Sequence, residues 1–255
     1  MTLKNVITEQ KGQIGYVTLN RVERHNSLVP EFVEEIRNAV ADFASNEQIR
    51  AIILKANGRT FSTGGDVGAF YENRAQTRSY SERVVGGLNA LIMTMIDCPV
   101  PIICAVHGIL TGGSIGLVLA ADIVLVSPKT TFTPYYSTVG YSPDGGWAVL
   151  MKHLIGAKRT ARVLMTDTPI TAEQAVEWGI ATEICEQGEI IAKAEQIAER
   201  IISLKRGSIA KAKQLLWDRQ AVVSDLNREY ELFLAQICSE EGQNGMAEFL
   251  NNLKK

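Results

Sequence analysis

Residues Ile102 to Ser127 read IICAVHGILTGGSIGLVLAADIVLVS, and the order of patterns within this stretch decides the fold. An apolar run over 102–107 suits a strand, glycines turn the chain over 108–113, an apolar helical segment covers 114–121, and a second strand-like run fills 122–127. Strand, helix and strand in that order make a βαβ unit, whose strands lie parallel in a sheet covered on both faces. Toward the N-terminus the same grammar appears once more. Residues 14–20 and 50–56 read as strands, and between them, over 30–46, Phe32, Val33, Ile36, Val40 and Phe43 recur at three- and four-residue steps, the spacing of one helical face. Pro30 suits the first turn of that helix, where its missing N–H costs nothing. A glycine-rich loop over 57–68 leads into a long helical stretch that Pro99 and Pro101 stop near Cys98.

Beyond Thr171 the character changes. Thr171-Ala-Glu-Gln174 is a capping box, in which the threonine oxygen and the glutamine side chain satisfy free N–H groups at a helix start. After Ile184 only helical patterning remains, over 189–204, 208–218, 223–238 and 243–253. The expected architecture is therefore α/β, with a core over 1–184 and a helical region over 185–255. The helices must bury their apolar faces on that core or on another subunit.

Composition narrows the function classes. The 255 residues are 46% hydrophobic and 21% charged, with 26 basic and 28 acidic side chains giving a net charge of −2. These proportions belong to an ordinary globular protein, and the near-neutral balance carries no electrostatic footprint for nucleic acid or an anionic membrane. No stretch reaches the ~18 apolar residues of a spanning helix. The N-terminal segment alternates and carries charges where a secretory signal would have an apolar centre. Cys98, Cys104, Cys185 and Cys238 show no CxxC spacing and read as reduced core thiols, so a cytoplasmic location is expected. His25, His107 and His153 lie too far apart in sequence to predict a metal site. Neither a nucleic-acid partner nor a membrane partner is expected.

Chemistry is expected where glycine lets backbone approach a ligand, and three clusters qualify: 58–68, 108–116 and 140–146. Each follows a strand in an α/β chain, where ligands collect at strand carboxyl ends. Gly108-Ile-Leu-Thr-Gly-Gly113 has P-loop spacing, but Ser114 and Ile115 stand where lysine and then serine or threonine are required, and no GxGxxG occurs. Nucleotide readings are thereby rejected. Gly112-Gly-Ser-Ile-Gly116 matches GxSxG, the nucleophile elbow of serine hydrolases, with Ser114 as nucleophile. Its strand ends five residues too early, however, and the one later histidine, His153, lies in a helical pattern that explains it as a surface residue. A third possibility uses backbone alone. Gly112 and Gly113 precede a helix, and Phe61-Ser-Thr-Gly-Gly-Asp66 offers further N–H groups from a separate loop. Two such donors converging on one point form an oxyanion hole for a carbonyl that becomes negative during reaction.

Several motifs in order resemble the crotonase (enoyl-CoA hydratase/isomerase) superfamily. They are Leu19-Asn-Arg-Val-Glu-Arg-His-Asn-Ser-Leu28, Phe61-Ser-Thr-Gly-Gly-Asp66, Ala105-Val-His-Gly-Ile-Leu-Thr-Gly-Gly-Ser114, Ala121-Asp122, Ser142-Pro-Asp-Gly-Gly146, Thr171-Ala-Glu-Gln-Ala-Val-Glu-Trp-Gly179 and Glu241-Gly-Gln-Asn-Gly-Met-Ala-Glu-Phe249. The resemblance implies a spiral of ββα units, a helical C-terminal region, and trimers or dimers of trimers. It also implies an acyl-CoA thioester substrate, with coenzyme A arriving as part of the substrate rather than as a separate cofactor. By position, Gly65 and Gly113 would supply the oxyanion donors. Arg24 and the loop of Gly65, Asp66, Val67 and Gly68 would lie along the coenzyme A moiety, although Arg24 as a solvated loop charge is the bland alternative. Asp66 is expected to hold its own loop by accepting N–H bonds.

Membership in this superfamily would leave the reaction open. Hydratases of the family flank a water with two glutamates, and the corresponding positions here are Gly116 and Tyr136. Neither does carboxylate chemistry. Asp144 stands where family isomerases carry a single acid, and one carboxylate suffices to move a proton from C2 to C4 of a 3-enoyl thioester. A simpler role for Asp144 is to cap a helix beginning at Gly145. Tyr135, Tyr136 and Tyr141 are expected either to line the acyl pocket or to donate a hydrogen bond there. The leading expectation is thus an enoyl-CoA (3 to 2) isomerase. Alternatives are a hydratase with an atypical acid/base, a dehalogenase-like member using Asp144 as nucleophile, a weakly active acyl-CoA-binding member, and the Ser114 hydrolase.

Overall fold

The computed structural model describes residues 5–252. In order the chain runs β1 (Val6–Lys11), β2 (Ile14–Leu19), α1 (Pro30–Ser45), β3 (Ala51–Ala56), α2 (Val67–Glu72), α3 (Thr77–Asp97), β4 (Ile102–Val106), β5 (Ile109–Thr111), α4 (Ile115–Leu119), β6 (Ile123–Val126) and β7 (Thr131–Thr133). It continues through α5 (Tyr136–Val139), α6 (Met151–Thr166), β8 (Ile170–Thr171), α7 (Ala172–Glu177) and β9 (Glu183–Ile184). Four helices close it: α8 (Ile190–Ile202), α9 (Arg206–Leu215), α10 (Arg219–Ile237) and α11 (Glu240–Asn252). The α/β expectation holds, and the helices after Ile184 are all present, except that Leu253 of the last predicted stretch lies outside the described residues.

The main sheet has the order β1-β2-β3-β4-β6-β9, parallel throughout except for the β1–β2 hairpin. Side chains alternate across a strand, so the inner strands β2, β3, β4 and β6 serve two cores. Ile52, Leu54, Ile102, Cys104 and Val124 enter the larger core with α1, α3 and α4. Ala51, Ile53, Ile103, Ala105 and Leu125 face the other way, where Ile190, Ala194 and Ala198 of α8 cover them. The C-terminal helices therefore fold back: α8 onto the sheet, α10 onto α3, and α11 onto α2 and α5.

Five strands escape the sequence pattern, among them β1 and β9 at the two edges of the main sheet. β5, β7 and β8 form a second, small sheet, with segments of two or three residues that are too short to show alternation. Residues 108–113, expected as a simple turn, contain β5 and then a single 3-10 turn at Gly112–Ser114. The capping box at Thr171 forms as expected, with reciprocal bonds between Thr171 and Gln174. All four cysteines are free thiols; Cys98, Cys104 and Cys185 are buried, whereas Cys238, expected in the core, is exposed just past the end of α10. None of the described helices is long and apolar enough to cross a membrane.

Candidate active site

Two glycine loops that lie far apart in sequence run side by side because they hydrogen-bond like strands. Phe61 N–H donates to His107 O at 3.0 Å, and Thr111 N–H to Ser62 O at 3.1 Å. On its other side the first loop is tied to the segment at Leu28, whose N–H donates to Gly64 O at 2.7 Å, while Asp66 N–H returns to Leu28 O at 3.0 Å. Gly64 has φ +72°, and a Cβ there would meet Thr111 O at 2.5 Å, so glycine is what permits the close approach. Gly65 N lies 4.0 Å from the place a Gly112 Cβ would occupy. Among the described residues, neither Gly65 N–H nor Gly113 N–H donates to a backbone carbonyl. The two expected oxyanion donors are thus on adjacent loops, both unspent.

Asp144 reaches this place from the third glycine cluster. A Cβ on Gly113 would lie 2.8 Å from each carboxylate oxygen of Asp144 and 2.9 Å from Leu88 Cδ2, so the carboxylate stands directly over the Gly113 backbone. The helix-cap alternative fails. Gly145 and Gly146 have φ +65° and +90°, no helix begins there, and α6 starts only at Met151. Asp144 is instead bonded by the Tyr136 hydroxyl, which donates to its Oδ1 at 2.5 Å. Asp144 is 7% exposed, and burial pushes its pKa from 3.8 up to about 6, with the Tyr136 bond acting in the opposite sense. Burial, with the Asp144 charge next, drives the Tyr136 phenol well above its ordinary value, so it stays a donor.

This geometry makes a pH prediction. Tyr136 stabilises the ionised form of Asp144, so Tyr136→Phe raises the Asp144 pKa above about 6. The acidic limb of the kcat/KM profile should move to higher pH, with kcat about tenfold lower. A pH–rate profile of the two proteins checks it, and an unmoved limb would contradict the assigned bond.

Gly116 sits in α4, where a Cβ would meet Ile92 Cδ1 at 2.5 Å and Gly145 O at 3.0 Å. Aliphatic packing occupies the space that a glutamate would need. Tyr141 packs edge-on against Phe70 and Phe233, and its buried hydroxyl has no partner among the described residues; burial and the nearby Asp144 charge raise its pKa. Tyr135, by contrast, is 44% exposed.

Arg24 and Asp66 come together at the far side of the Gly65 loop, 3.0 Å apart. Asp66 is buried, caps α2 through Ala69 N–H, and also accepts from Arg21 and Ser27. Its pKa is lowered: the Ala69 N–H and the two arginines outweigh burial, the largest single influence, which acts upward. The loop-holding role expected of Asp66 is present, built more from arginines than from N–H groups. Arg24 keeps half its side chain in solvent beside Gly68. Ser114, the GxSxG serine, is fully buried and donates to Thr111 O at 2.6 Å, while His153 is on the surface near Asp225. No histidine bonds Ser114, and the nucleophile-elbow alternative falls.

One residue of the site left no sequence signal. Glu229, buried in α10, accepts Gly146 N–H at 2.7 Å and Ala148 N–H at 2.8 Å, and so clamps the turn that carries Asp144. Burial raises its pKa to about 7, against those N–H bonds. In the sequence it is one carboxylate among several on a helix and lies 85 positions from Asp144.

Comparison with known proteins agrees with the fold and the motif order. The enoyl-CoA hydratase/isomerase family model matches residues 9–255. A trans-2-decenoyl-[acyl-carrier-protein] isomerase of Streptococcus mutans is 29% identical over 222 residues, covering 85% of this chain and 83% of that protein. A 1,2-epoxyphenylacetyl-CoA isomerase of Escherichia coli K12 is 27% identical over 242 residues, covering 92% and 90%. The crystal structure of an enoyl-CoA hydratase from Bacillus halodurans shares the fold, with a TM-score of 0.90 at 24% identity over 96% of this chain and all of that one. Matched from residue 9 onward, and with its glycine loops paired as the motif order implied, the chain belongs to the enoyl-CoA hydratase/isomerase (crotonase) family.

Proposed function

We propose that the protein is an enoyl thioester isomerase that moves a double bond from the 3 to the 2 position. One observation carries this reading: a single carboxylate with free oxygen valence, Asp144, stands over the Gly113 backbone, while the hydratase positions hold Gly116 and Tyr136. Glu229, the other nearby carboxylate, has both oxygens engaged by N–H groups.

In the reaction, the thioester oxygen lies between Gly65 N–H and Gly113 N–H. Asp144 removes a proton from C2, and the electron pair passes into the thioester as an enolate whose oxygen the two donors hold. As the enolate collapses, the C2–C3 bond becomes double, the C3–C4 pair takes a proton at C4, and Asp144 is ionised again. A carboxyl whose pKa is about 6 suits both halves near neutral pH. Arg24 and the first turn of α2, at Val67 and Gly68, would lie along the carrier end of the thioester. The relative named as a trans-2-decenoyl-[acyl-carrier-protein] isomerase supports this choice of reaction.

The test is a parallel assay with 3-enoyl-CoA and 2-enoyl-CoA substrates, following both double-bond migration and hydration. Migration without hydration is expected. Hydration at a comparable rate would reject the lone-carboxylate reading.

A further inference from the structure

Trp147 is fully buried, and its indole N–H donates to Gly112 O at 2.8 Å. That carbonyl and the Gly113 N–H are the two ends of one peptide unit. A trans peptide is planar, so its C=O and N–H point in opposite directions, and holding one end aims the other. The unit needs such a hold. It joins two glycines, Gly112 has φ +52°, and no Cβ resists a flip that would turn the Gly113 N–H away from the site.

We propose that Trp147 is a positioning residue of the oxyanion hole: by bonding Gly112 O from outside, it fixes and polarises the Gly113 N–H that faces the substrate. Polarisation follows because a hydrogen bond accepted at the oxygen strengthens the donor at the other end of the same amide. Trp147 lies on the same turn as Asp144, and that turn is seated closely on the donor: a Cβ on Gly145 would run into Gly113 O. Glu229 clamps the turn from α10 through Gly146 and Ala148. One turn therefore sets both the acid/base and the direction of the oxyanion donor.

This rests on the thioester reading of the hole, so the experiment separates the two. A conjugated 2-enoyl-CoA is bound to the protein, and the thioester carbonyl stretch is read by difference Raman spectroscopy alongside steady-state kinetics. Two variants are used: Trp147→Phe, and site-specific replacement of Trp147 by benzothienylalanine, which keeps the indole shape and loses the N–H. Both should lower kcat about tenfold, less than the full loss of a donor, with KM changed little. Both should shrink the red shift of the bound carbonyl and leave the acidic limb of the pH profile in place. A red shift and kcat preserved in the benzothienylalanine protein would overturn the proposal while leaving the hole intact. A limb that moves in both variants would place the effect on Asp144 and overturn it as well. No red shift in the wild-type complex would overturn the thioester reading together with it.

Discussion

Asp144→Asn is expected to lower turnover of a 3-enoyl-CoA by about 10³-fold, within the 10²–10⁴ that a positioned acid/base supplies, while ligand binding persists. The amide keeps the shape and still accepts the Tyr136 hydroxyl, so the loss falls on proton transfer alone. The same variant should be more stable than the parent at pH 8. Asp144 has its pKa raised from 3.8 to about 6 in the fold, so the folded state prefers the protonated form. As pH rises from about 4 to 6 the unfolded chain releases this proton first, and the fold then carries a buried charge that costs on the order of 2–3 kcal/mol. Asparagine carries no such charge. Its advantage in thermal denaturation should grow between about pH 4 and 6, be complete above pH 6 and vanish below pH 4. Turnover within tenfold of the parent would remove Asp144 from the mechanism, and an advantage present only at low pH would contradict its burial as a raised-pKa acid.

Gly116→Glu is expected to cripple the fold without creating a hydratase. The new Cβ meets the tip of Ile92, which can move, and Gly145 O, which belongs to the turn carrying Asp144 and cannot move freely. Overpacking of this kind costs about 1–3 kcal/mol, and a carboxyl forced into an apolar niche adds to it. For a chain of this size the melting temperature should fall by about 10 °C. Displacement of the Gly145 turn should also reduce isomerisation, since that turn carries both Asp144 and Trp147. Circular dichroism melts and the parallel assay read both effects. A stable Gly116→Glu protein that hydrates 2-enoyl-CoA would show the pocket to be open at this position after all.

The parallel sheet was legible in the chain because its central strands contain continuous apolar runs, such as 51–54 and 102–106, punctuated by glycine and proline, and burial on both faces demands such runs. The helix over 30–45 and the capping box at Thr171 were legible because their signals are local: a periodicity and a pair of side chains three residues apart. The three glycine loops were visible for the same reason, and motif order led to Asp144, Gly65 and Gly113. What the chain did not display is which of these groups meet, and how. The strands of the second sheet are too short to alternate. The bond from Tyr136 to Asp144 eight residues on, the clamp by Glu229 from 85 residues away and the hold of Trp147 on Gly112 O depend on where separate segments of the chain come to rest against one another. Local sequence sets backbone conformation and burial preference residue by residue. A hydrogen bond across the core exists only once packing has placed donor and acceptor within about 3 Å, and that placement belongs to the tertiary structure.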